Sequence, residues 1–251
     1  MKDRPALTAG YRLIALESID STNAEAARLA RDGAADGTVV WAKRQTAGRG
    51  RHGRNWESPE GNLYTSLLLR PEAAPAEAAQ LTFVAALALG QTLDGVIPVG
   101  SNLAFKWPND VLLDGRKVAG ILLESSGSRN GRLDWLAVGC GLNIQHFPQD
   151  IAGYPATSLC AAGVVEPEIG NLLATFVDAF AVWRARWQGE GLGPVRDAWL
   201  ARAARVGGEV TVRLPGNELR GIFMGLDAGG AMLLDLPDGS RRTVTAGDVF
   251  F

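Results

Sequence analysis

A short run of arginines and glycines concentrates positive charge in the first quarter of the chain. The segment reads Gly48-Arg49-Gly50-Arg51-His52-Gly53-Arg54, and between Lys43 and Arg54 there are five lysine or arginine side chains and no acid. Glycine lets a backbone approach a ligand closely, and guanidinium groups pair with phosphate oxygens in a two-pronged geometry. We therefore predict that this arginine loop, residues 48–54, binds a polyanion, with nucleotide phosphate as the favoured ligand.

The arginine loop also matches G-x-G-x-x-G, the fingerprint of dinucleotide-binding folds. A strand pattern precedes it, but residues 55–61 are polar and no helix pattern opens there, as that fold requires. A Walker A loop is excluded as well, because no Gly-Lys-Ser/Thr ending follows. His52 is interpreted as an exposed or structural side chain rather than a catalytic one.

A second cluster reads Lys106-Trp107-Pro108-Asn109-Asp110, and Lys117 follows a hairpin signal at Asp114–Gly115. Pro108 fixes its own φ, so Asn109 and Asp110 are expected on a rigid turn. Lys117 is a compact cation that could reach a carboxylate and a phosphate together. Trp107 offers a stacking face, although a tryptophan is more often a core residue.

In their order along the chain, these motifs resemble the biotin–protein ligases of the BirA type. The resemblance rests on Asp20-Ser21-Thr22-Asn23, Gln45 with the arginine loop, residues 106–110, Lys117-Val-Ala-Gly-Ile-Leu and Gly139-x-Gly141-Leu-Asn143. It covers essentially the whole chain. No helix-turn-helix pattern precedes Ser21, so the likeness is to monofunctional members without the DNA-binding domain. Cys140 stands between the two glycines, where it behaves as a small hydrophobic residue.

The resemblance implies a two-step reaction. ATP with Mg²⁺ converts biotin to biotinyl-5'-AMP and pyrophosphate, and a lysine of the biotin carboxyl carrier domain of acetyl-CoA carboxylase, or of a related carboxylase, then displaces AMP. Joining a carboxylate to a phosphate clusters negative charge, which fixed cations must offset. By resemblance the catalytic residues are Lys117, Arg51 and Asp110, and Asp110 would orient the incoming amine. Biotin and the nucleotide would be held by Ser21, Thr22, Asn23, Gln45, Gly48, Arg49, Gly50, Arg51, Arg54, Trp56, Lys106, Asn109, Lys117, Gly120, Gly139, Gly141 and Asn143, while the magnesium ligands stay open.

These residues need a scaffold, and the hydrophobic periodicity predicts α and β elements. Helices are predicted over residues 23–32 (capped by Ser21 or Thr22), 75–93, from 168 onward and 194–204, and strands over 38–44, 62–70, 104–107, 111–113, 118–125 and 133–144. The resemblance implies an α+β fold over residues 1–205, a mixed β-sheet flanked by helices, of the kind shared with class II aminoacyl-tRNA synthetases. Residues 206–251 carry only short strand patterns and are predicted to form a small SH3-like β-barrel domain.

Composition limits the partners and the compartment. The formal net charge is -2 and the pI about 5.8, so no nucleic-acid partner is expected. The apolar stretch 81–89 is too short to span a bilayer, so no membrane partner is expected either. Two cysteines fit a reducing cytoplasm. A monomer and a homodimer both remain open.

Three other functions compete with this interpretation. A lipoate–protein ligase or octanoyl transferase would share the catalytic architecture, but the transferase needs a nucleophilic cysteine, and neither Cys140 nor Cys160 has a neighbouring histidine. A biotin-responsive DNA-binding repressor is disfavoured by the net charge and the missing helix-turn-helix pattern. A pure biotin-binding module would not need so many cations beside the ligand.

Overall fold

The computed structural model describes residues 5–149 and 154–251. Its main sheet has seven strands in the order β1-β2-β3-β9-β6-β5-β4, in which only β1 and β2 run parallel to each other. The strands are β1 Arg12–Ile19, β2 Thr38–Gln45, β3 Leu63–Leu69, β4 Leu103–Lys106, β5 Asp110–Leu113, β6 Arg116–Ser125 and β9 Leu136–Leu142, with a separate short pair β7 Ser128–Arg129 and β8 Arg132–Leu133. The mixed sheet of the predicted α+β class is therefore confirmed.

Helices flank this sheet and bury its apolar side chains. They are α1 Thr22–Arg31, α2 Pro75–Ala78, α3 Leu81–Asp94, α4 Ile169–Glu190 and α5 Leu192–Leu200. The apolar side chains of α4 belong to the core, since Leu172, Phe176 and Phe180 are buried. No described helix is long and apolar enough to cross a membrane.

The sequence determines where α1 begins, and this end of the helix borders the main cleft of the molecule. Ser21 has extended backbone angles, and its hydroxyl accepts a hydrogen bond from the backbone N–H of Ala24 at 3.4 Å, which makes Ser21 the N-cap. Of the two predicted caps, Ser21 rather than Thr22 is therefore used. Thr22 and Asn23 become the first helical residues and point their buried side chains at the sheet.

Two predicted elements differ from the observed ones, and one strand of the main sheet was not predicted. The helix predicted over 75–93 breaks into α2 and α3, because the backbone N–H groups of Gln80, Thr82 and Phe83 make i→i−3 bonds. The strand predicted over 133–144 splits into β8 and β9, since the N–H groups of Asp134 and Trp135 donate to the Ser126 hydroxyl instead of a ladder. Strand β1 was not predicted; it is a partly exposed edge strand with a weak alternation pattern.

Residues 206–251 contain a second sheet, called here the C-terminal sheet. Its strands are β10 Glu209–Leu214, β11 Asn217–Leu226, β12 Met232–Asp235, β13 Arg241–Val244 and β14 Asp248–Phe250, all antiparallel in the order β13-β12-β11-β10-β14. Within residues 206–251 the end strands β13 and β14 do not pair with each other. The predicted barrel is thus an open antiparallel sheet rather than a closed one.

Candidate active site

One cleft of about 400 Å³ collects the motifs that lie far apart in the sequence. It lies between the main sheet, the start of α1, the arginine loop and the C-terminal sheet. The predicted residues that line it are Ser21, Thr22, Asn23, Gln45, Arg49, Gly50, Arg51, Arg54, Trp56, Lys106, Asn109, Asp110, Lys117, Gly120, Gly139, Gly141 and Asn143. Gly48 alone is outside the lining, and a Cβ there would collide with the Trp56 carbonyl and the Ser58 hydroxyl.

The first wall of the cleft is a polar network at the start of α1. Gln45, at the end of β2, accepts from the Thr22 backbone N–H through Oε1 at 2.8 Å and donates from Nε2 to the Ser58 hydroxyl at 2.9 Å. Gln45 thereby joins α1 to the exit of the arginine loop. This wall supplies fixed amide and hydroxyl groups inside an otherwise apolar pocket, which is how small-molecule sites orient a ligand.

Asn23 is held so firmly that it can offer a ligand only an acceptor. Its Nδ2 donates to the Leu122 carbonyl at 3.2 Å and to Glu124 Oε2 at 2.8 Å, and its Oδ1 lies 2.6 Å from the donating hydroxyl of Ser66. Both amide N–H groups are therefore used within the protein. The second lone pair of Oδ1 remains, so Asn23 suits a ligand N–H such as that of a ureido group.

The floor of the cleft is a strip of glycines on two paired strands. Gly120 of β6 and Gly141 of β9 are cross-strand partners, and Gly139 lies two residues earlier on β9. A Cβ on Gly141 would lie 2.6 Å from the Trp56 indole, one on Gly120 would lie 3.1 Å from it, and one on Gly139 would collide with the Asn23 amide. The glycines therefore let Trp56 and Asn23 lie directly on the sheet. The Trp56 Nε1 is buried and has no hydrogen-bond partner among the described residues.

Beside this floor, one buried carboxylate is shared by two lysines. Lys106 and Asp110 face each other across the β4–β5 hairpin, with Nζ 3.0 Å from Oδ2, and Lys117 Nζ lies 2.5 Å from Oδ1. Burial raises the pKa of Asp110, but the ammonium groups of Lys117 and Lys106 outweigh burial and hold that pKa below its usual value. Asp110 is therefore an anion that fixes Lys117 at the edge of the cleft, where its ammonium also lies 5.3 Å from the Trp56 ring.

The three arginines of the arginine loop are each tied to a different part of the molecule. Arg49 Nη2 lies 3.2 Å from Glu124 Oε2 on β6. Arg51 Nη1 donates to Asn109 Oδ1 at 3.2 Å and to the Gly247 carbonyl at 3.1 Å, and burial lowers the pKa of its guanidinium. Arg54 Nη2 donates to Asp248 Oδ2 at 2.6 Å. The loop thus presents an ordered group of cations beside Lys117.

Sequence reasoning missed four residues of this site. Ser66 had a detectable signal, since it is a polar residue inside the apolar strand β3 and proves fully buried. Glu124 and Asp248 had none, because each pairs with an arginine that is distant in the sequence. Tyr154 lies with its ring 4.7 Å from Lys106 Nζ, and burial, with the nearby Asp110 carboxylate, raises the pKa of its phenol to about 12.

The structure also shows where Trp107 and His52 lie. Trp107 is buried and its indole donates to the Gly230 carbonyl of the C-terminal sheet at 3.1 Å, so it is a packing residue between the two sheets. His52 is exposed at a left-handed backbone position with φ 55°. Its imidazole Nε2 lies 3.9 Å from Asp248, outside hydrogen-bond range.

Comparison with known families gives two matches along the chain. Residues 15–143 match the biotin/lipoate A/B protein ligase family, and residues 206–251 match the biotin protein ligase C terminal domain. The first match includes every cleft residue from Ser21 to Asn143, and the second includes Asp248.

Individual relatives cover nearly the full chain. A biotin–[acetyl-CoA-carboxylase] ligase of Paracoccus denitrificans is 46% identical over 242 residues, which is 94% of this chain and 99% of the relative. The enzyme of the same name from Mycobacterium tuberculosis is 35% identical, over 91% of this chain and 85% of the relative. Among solved structures, the biotin protein ligase of Aquifex aeolicus in complex with biotin and ATP superposes with a TM-score of 0.79 at 30% identity, covering 95% of this chain and 97% of that one.

Proposed function

The chain belongs to the biotin/lipoate A/B protein ligase family, and on that ground we infer that it is a biotin–protein ligase. One observation carries this function beyond the family likeness. A single cleft joins a polar wall and a glycine floor, suited to a small flat acid, to the cations Lys117, Arg51 and Arg54, suited to phosphate. A site for biotin alone would not need this group of cations.

In the first step, biotin would react with ATP to give biotinyl-5'-AMP. An oxygen of the biotin carboxylate forms a bond to the α-phosphorus while the bond to pyrophosphate breaks. Lys117 is proposed to sit beside the carboxylate and α-phosphate, with Arg51 on the α-phosphate and Arg54 on the departing pyrophosphate. Cations held in place beforehand by Asp110 and Asp248 stabilise this clustered negative charge without reorganising during the reaction.

In the second step, a lysine amine of an acceptor would attack the carbonyl carbon of the mixed anhydride. The new C–N bond forms as the C–O bond breaks, the electron pair of that bond leaves with AMP, and the proton lost by the amine passes to solvent. We propose the biotin carboxyl carrier domain of acetyl-CoA carboxylase or a related carboxylase as the acceptor, supported by the names of the relatives. Asp110 is proposed to orient the incoming amine. Because its two oxygens lie beside the ammonium groups of Lys106 and Lys117, it would do so indirectly, by fixing the position of Lys117.

Magnesium stays a prediction of the resemblance. Among the described residues no group of three or more His, Cys, Asp or Glu side chains could hold a metal ion. Two of the carboxylates in the cleft, Asp110 and Asp248, are paired with lysines and with an arginine. The described residues therefore do not fit a metal site held by the protein alone, and no step above runs through one.

The remaining parts of the proposal concern organisation and location. We propose that residues 1–205 form the catalytic domain and residues 206–251 a second domain that completes the cleft. Cytoplasmic location is proposed from the two cysteines, which are both free. A thioester route through Cys140 is not favoured, since burial raises the pKa of its thiol and suppresses the thiolate.

The test is pyrophosphate exchange into ATP, measured with biotin, lipoate or octanoate as the acid. Exchange that depends on biotin and is absent with the other two acids is the expected result. Exchange with lipoate, or none with biotin, would overturn the proposed function. Arg132→Ala serves as a control, because this exposed arginine pairs with Glu72 outside the cleft and should leave exchange unchanged.

A further inference from the structure

Asp248 belongs to the C-terminal sheet, yet its carboxylate contacts the arginine loop of the main sheet. We propose that Asp248 is a positioning residue that holds Arg51 and Arg54 in the orientation in which they bind the phosphates of ATP. This inference rests on the proposed function for its substrate, while its structural part concerns the ligand-free chain. It gives the C-terminal sheet a specific task at a site built mainly by other elements.

The contacts come from two consecutive residues at the start of β14. Asp248 Oδ2 accepts from Arg54 Nη2 at 2.6 Å, and its Oδ1 lies 3.6 Å from Arg51 Nη1. The carbonyl of Gly247 accepts from the same Arg51 Nη1 at 3.1 Å. A carboxylate and a carbonyl from one strand end therefore face two neighbouring arginines.

Much of the arginine loop is exposed, so a contact from outside the loop can order its side chains. Its internal backbone bonds run from Gly50 N–H to the Arg54 carbonyl and from Arg54 N–H back to the Arg51 carbonyl, at 2.7 and 3.2 Å. Residues 52–55 are exposed, and the Arg54 side chain is 57% exposed. Fixing a long, exposed side chain costs conformational entropy, and a partner that does so before ATP arrives lowers the cost of binding.

Asp248 is itself carried on a rigid support. It pairs with Arg213 in the β10–β14 ladder, and the following residue, Val249, is buried. The two residues that follow Val249 also make packing contacts. The Arg213 guanidinium lies 4.6 Å from the centre of the Phe250 ring, and the rings of Phe251 and Tyr154 pack edge-to-face with their centres 5.5 Å apart. The carboxylate is thus presented from a packed strand and can set the position of the more exposed Arg54 side chain.

The contact leaves donors for phosphate. A guanidinium has five N–H groups, and Arg54 uses Nη2 for Asp248 and Nε for the Arg51 carbonyl at 3.3 Å. Arg51 makes both of its hydrogen bonds through Nη1 in the described part of the chain, which frees Nη2 and Nε. Asp248 and a phosphate can therefore bind the same arginines together, so the carboxylate orients the cations without blocking them.

The test compares Asp248→Asn with Asp235→Asn in the full-length chain. Asp235 is a matched control, because it pairs with Arg241 in the same sheet at 2.5 Å but lies outside the cleft. We expect Asp248→Asn to raise the KM for ATP about three- to tenfold, as for one charged contact at a partly exposed site, with kcat and the KM for biotin within about twofold. In an Arg54→Ala background the same substitution should raise the KM for ATP by a smaller factor than in the parent chain, because only the contact between Asp248 and Arg51 is then left to lose.

A second readout does not depend on activity. Trypsin cleaves after Arg49, Arg51 and Arg54, and the ligand-free Asp248→Asn variant should be cleaved there faster than the parent chain, with Asp235→Asn unchanged. An unchanged or lowered KM for ATP with unchanged cleavage would overturn the role of Asp248. Absent biotin-dependent exchange in the parent chain would instead overturn the proposed function, and the cleavage rates would still decide whether Asp248 orders the loop.

Discussion

Lys117 derives its position from a carboxylate that is hidden from solvent. Asp110 is buried between Lys106 and Lys117, so each oxygen faces one ammonium group. A buried charge is tolerated when it is paired, and a pair with one surplus cation leaves net positive charge at the cleft. The arrangement places an ammonium group beside the glycine floor, where a ligand carboxylate and a phosphate could share it.

Lys117→Ala is expected to separate binding from chemistry. Removing the ammonium group should lower biotin-dependent pyrophosphate exchange by at least about 100-fold, since a fixed charge at a developing anion contributes that much to rate. Biotin binding, measured by calorimetry, should be retained within about tenfold. Lys43→Ala is the control, because Lys43 pairs with Glu17 away from the cleft. Equal loss of binding and exchange would contradict the assigned role.

Gly141→Ala tests the glycine floor at the same scale. The new methyl group would lie 2.6 Å from the Trp56 indole, so the indole must move off the strand. We expect the KM for biotin to rise more than about tenfold and the free energy of unfolding to fall by about 1–3 kcal/mol, as in overpacked sites. Gly189→Ala in α4 is the control: the added Cβ has open space around it, so neither the KM for biotin nor the KM for ATP should change. An unchanged KM in Gly141→Ala would exclude this floor as the biotin site.

At the scale of elements, the main sheet and the arginine loop have different tasks. Strands β6 and β9 pair in a fixed register that sets Gly120 opposite Gly141. The arginine loop has little regular structure, and its side chains reach β6, the Asn109 turn and β14. A rigid floor with a loop that covers it is suited to shielding a reactive acyl adenylate from water.

Ligand binding should therefore order the arginine loop further. We expect biotin with ATP to slow amide hydrogen exchange across residues 48–56, measured by mass spectrometry. The hairpin at residues 214–217 lies outside the cleft and should exchange equally with and without ligand. Equal exchange in residues 48–56 under both conditions would show that the loop does not close on the ligand.

The sequence predicts local features of this site well and distant ones poorly. The arginine loop, residues 106–110 and Lys117 are recognisable because type and spacing lie within short segments. The break between α2 and α3 and the split before β9 depend on single turns that compete with a continuous apolar pattern. The contact from Arg54 to Asp248 spans 194 residues, and no local pattern in the sequence shows that these two residues pair.

At the scale of the whole molecule, the cleft is closed by both sheets. The main sheet supplies the floor and Lys117, and the C-terminal sheet supplies Asp248 and the Gly247 carbonyl, which contact the arginine loop. The chain therefore needs its last residues to complete a site whose recognisable motifs end at Asn143. Both segments that match a family, residues 15–143 and residues 206–251, contribute residues that line the cleft.

The buried Asp110 group should also be visible in the acid stability of the whole fold. Its pKa lies below the unfolded value of about 4, so the unfolded chain binds more protons and stability rises with pH through this range. The contribution of Asp110 is complete above about pH 4–5 and is lost as pH falls through the lower folded pKa. Urea unfolding at pH 6 and pH 3 should show a smaller acid loss in Asp110→Asn than in the parent chain. An equal loss in both would contradict the ion-pair assignment.

We propose that the cleft forms biotinyl-5'-AMP and passes biotin to a protein lysine. The most direct measurement incubates the purified chain with ATP, Mg²⁺, biotin and a biotin carboxyl carrier domain, and follows the carrier by intact-mass spectrometry. We predict one biotin on one lysine of the carrier, with AMP and pyrophosphate released and no product when biotin is replaced by lipoate. A carrier that stays unmodified by the active, folded chain, or one modified equally by lipoate, would contradict the claim.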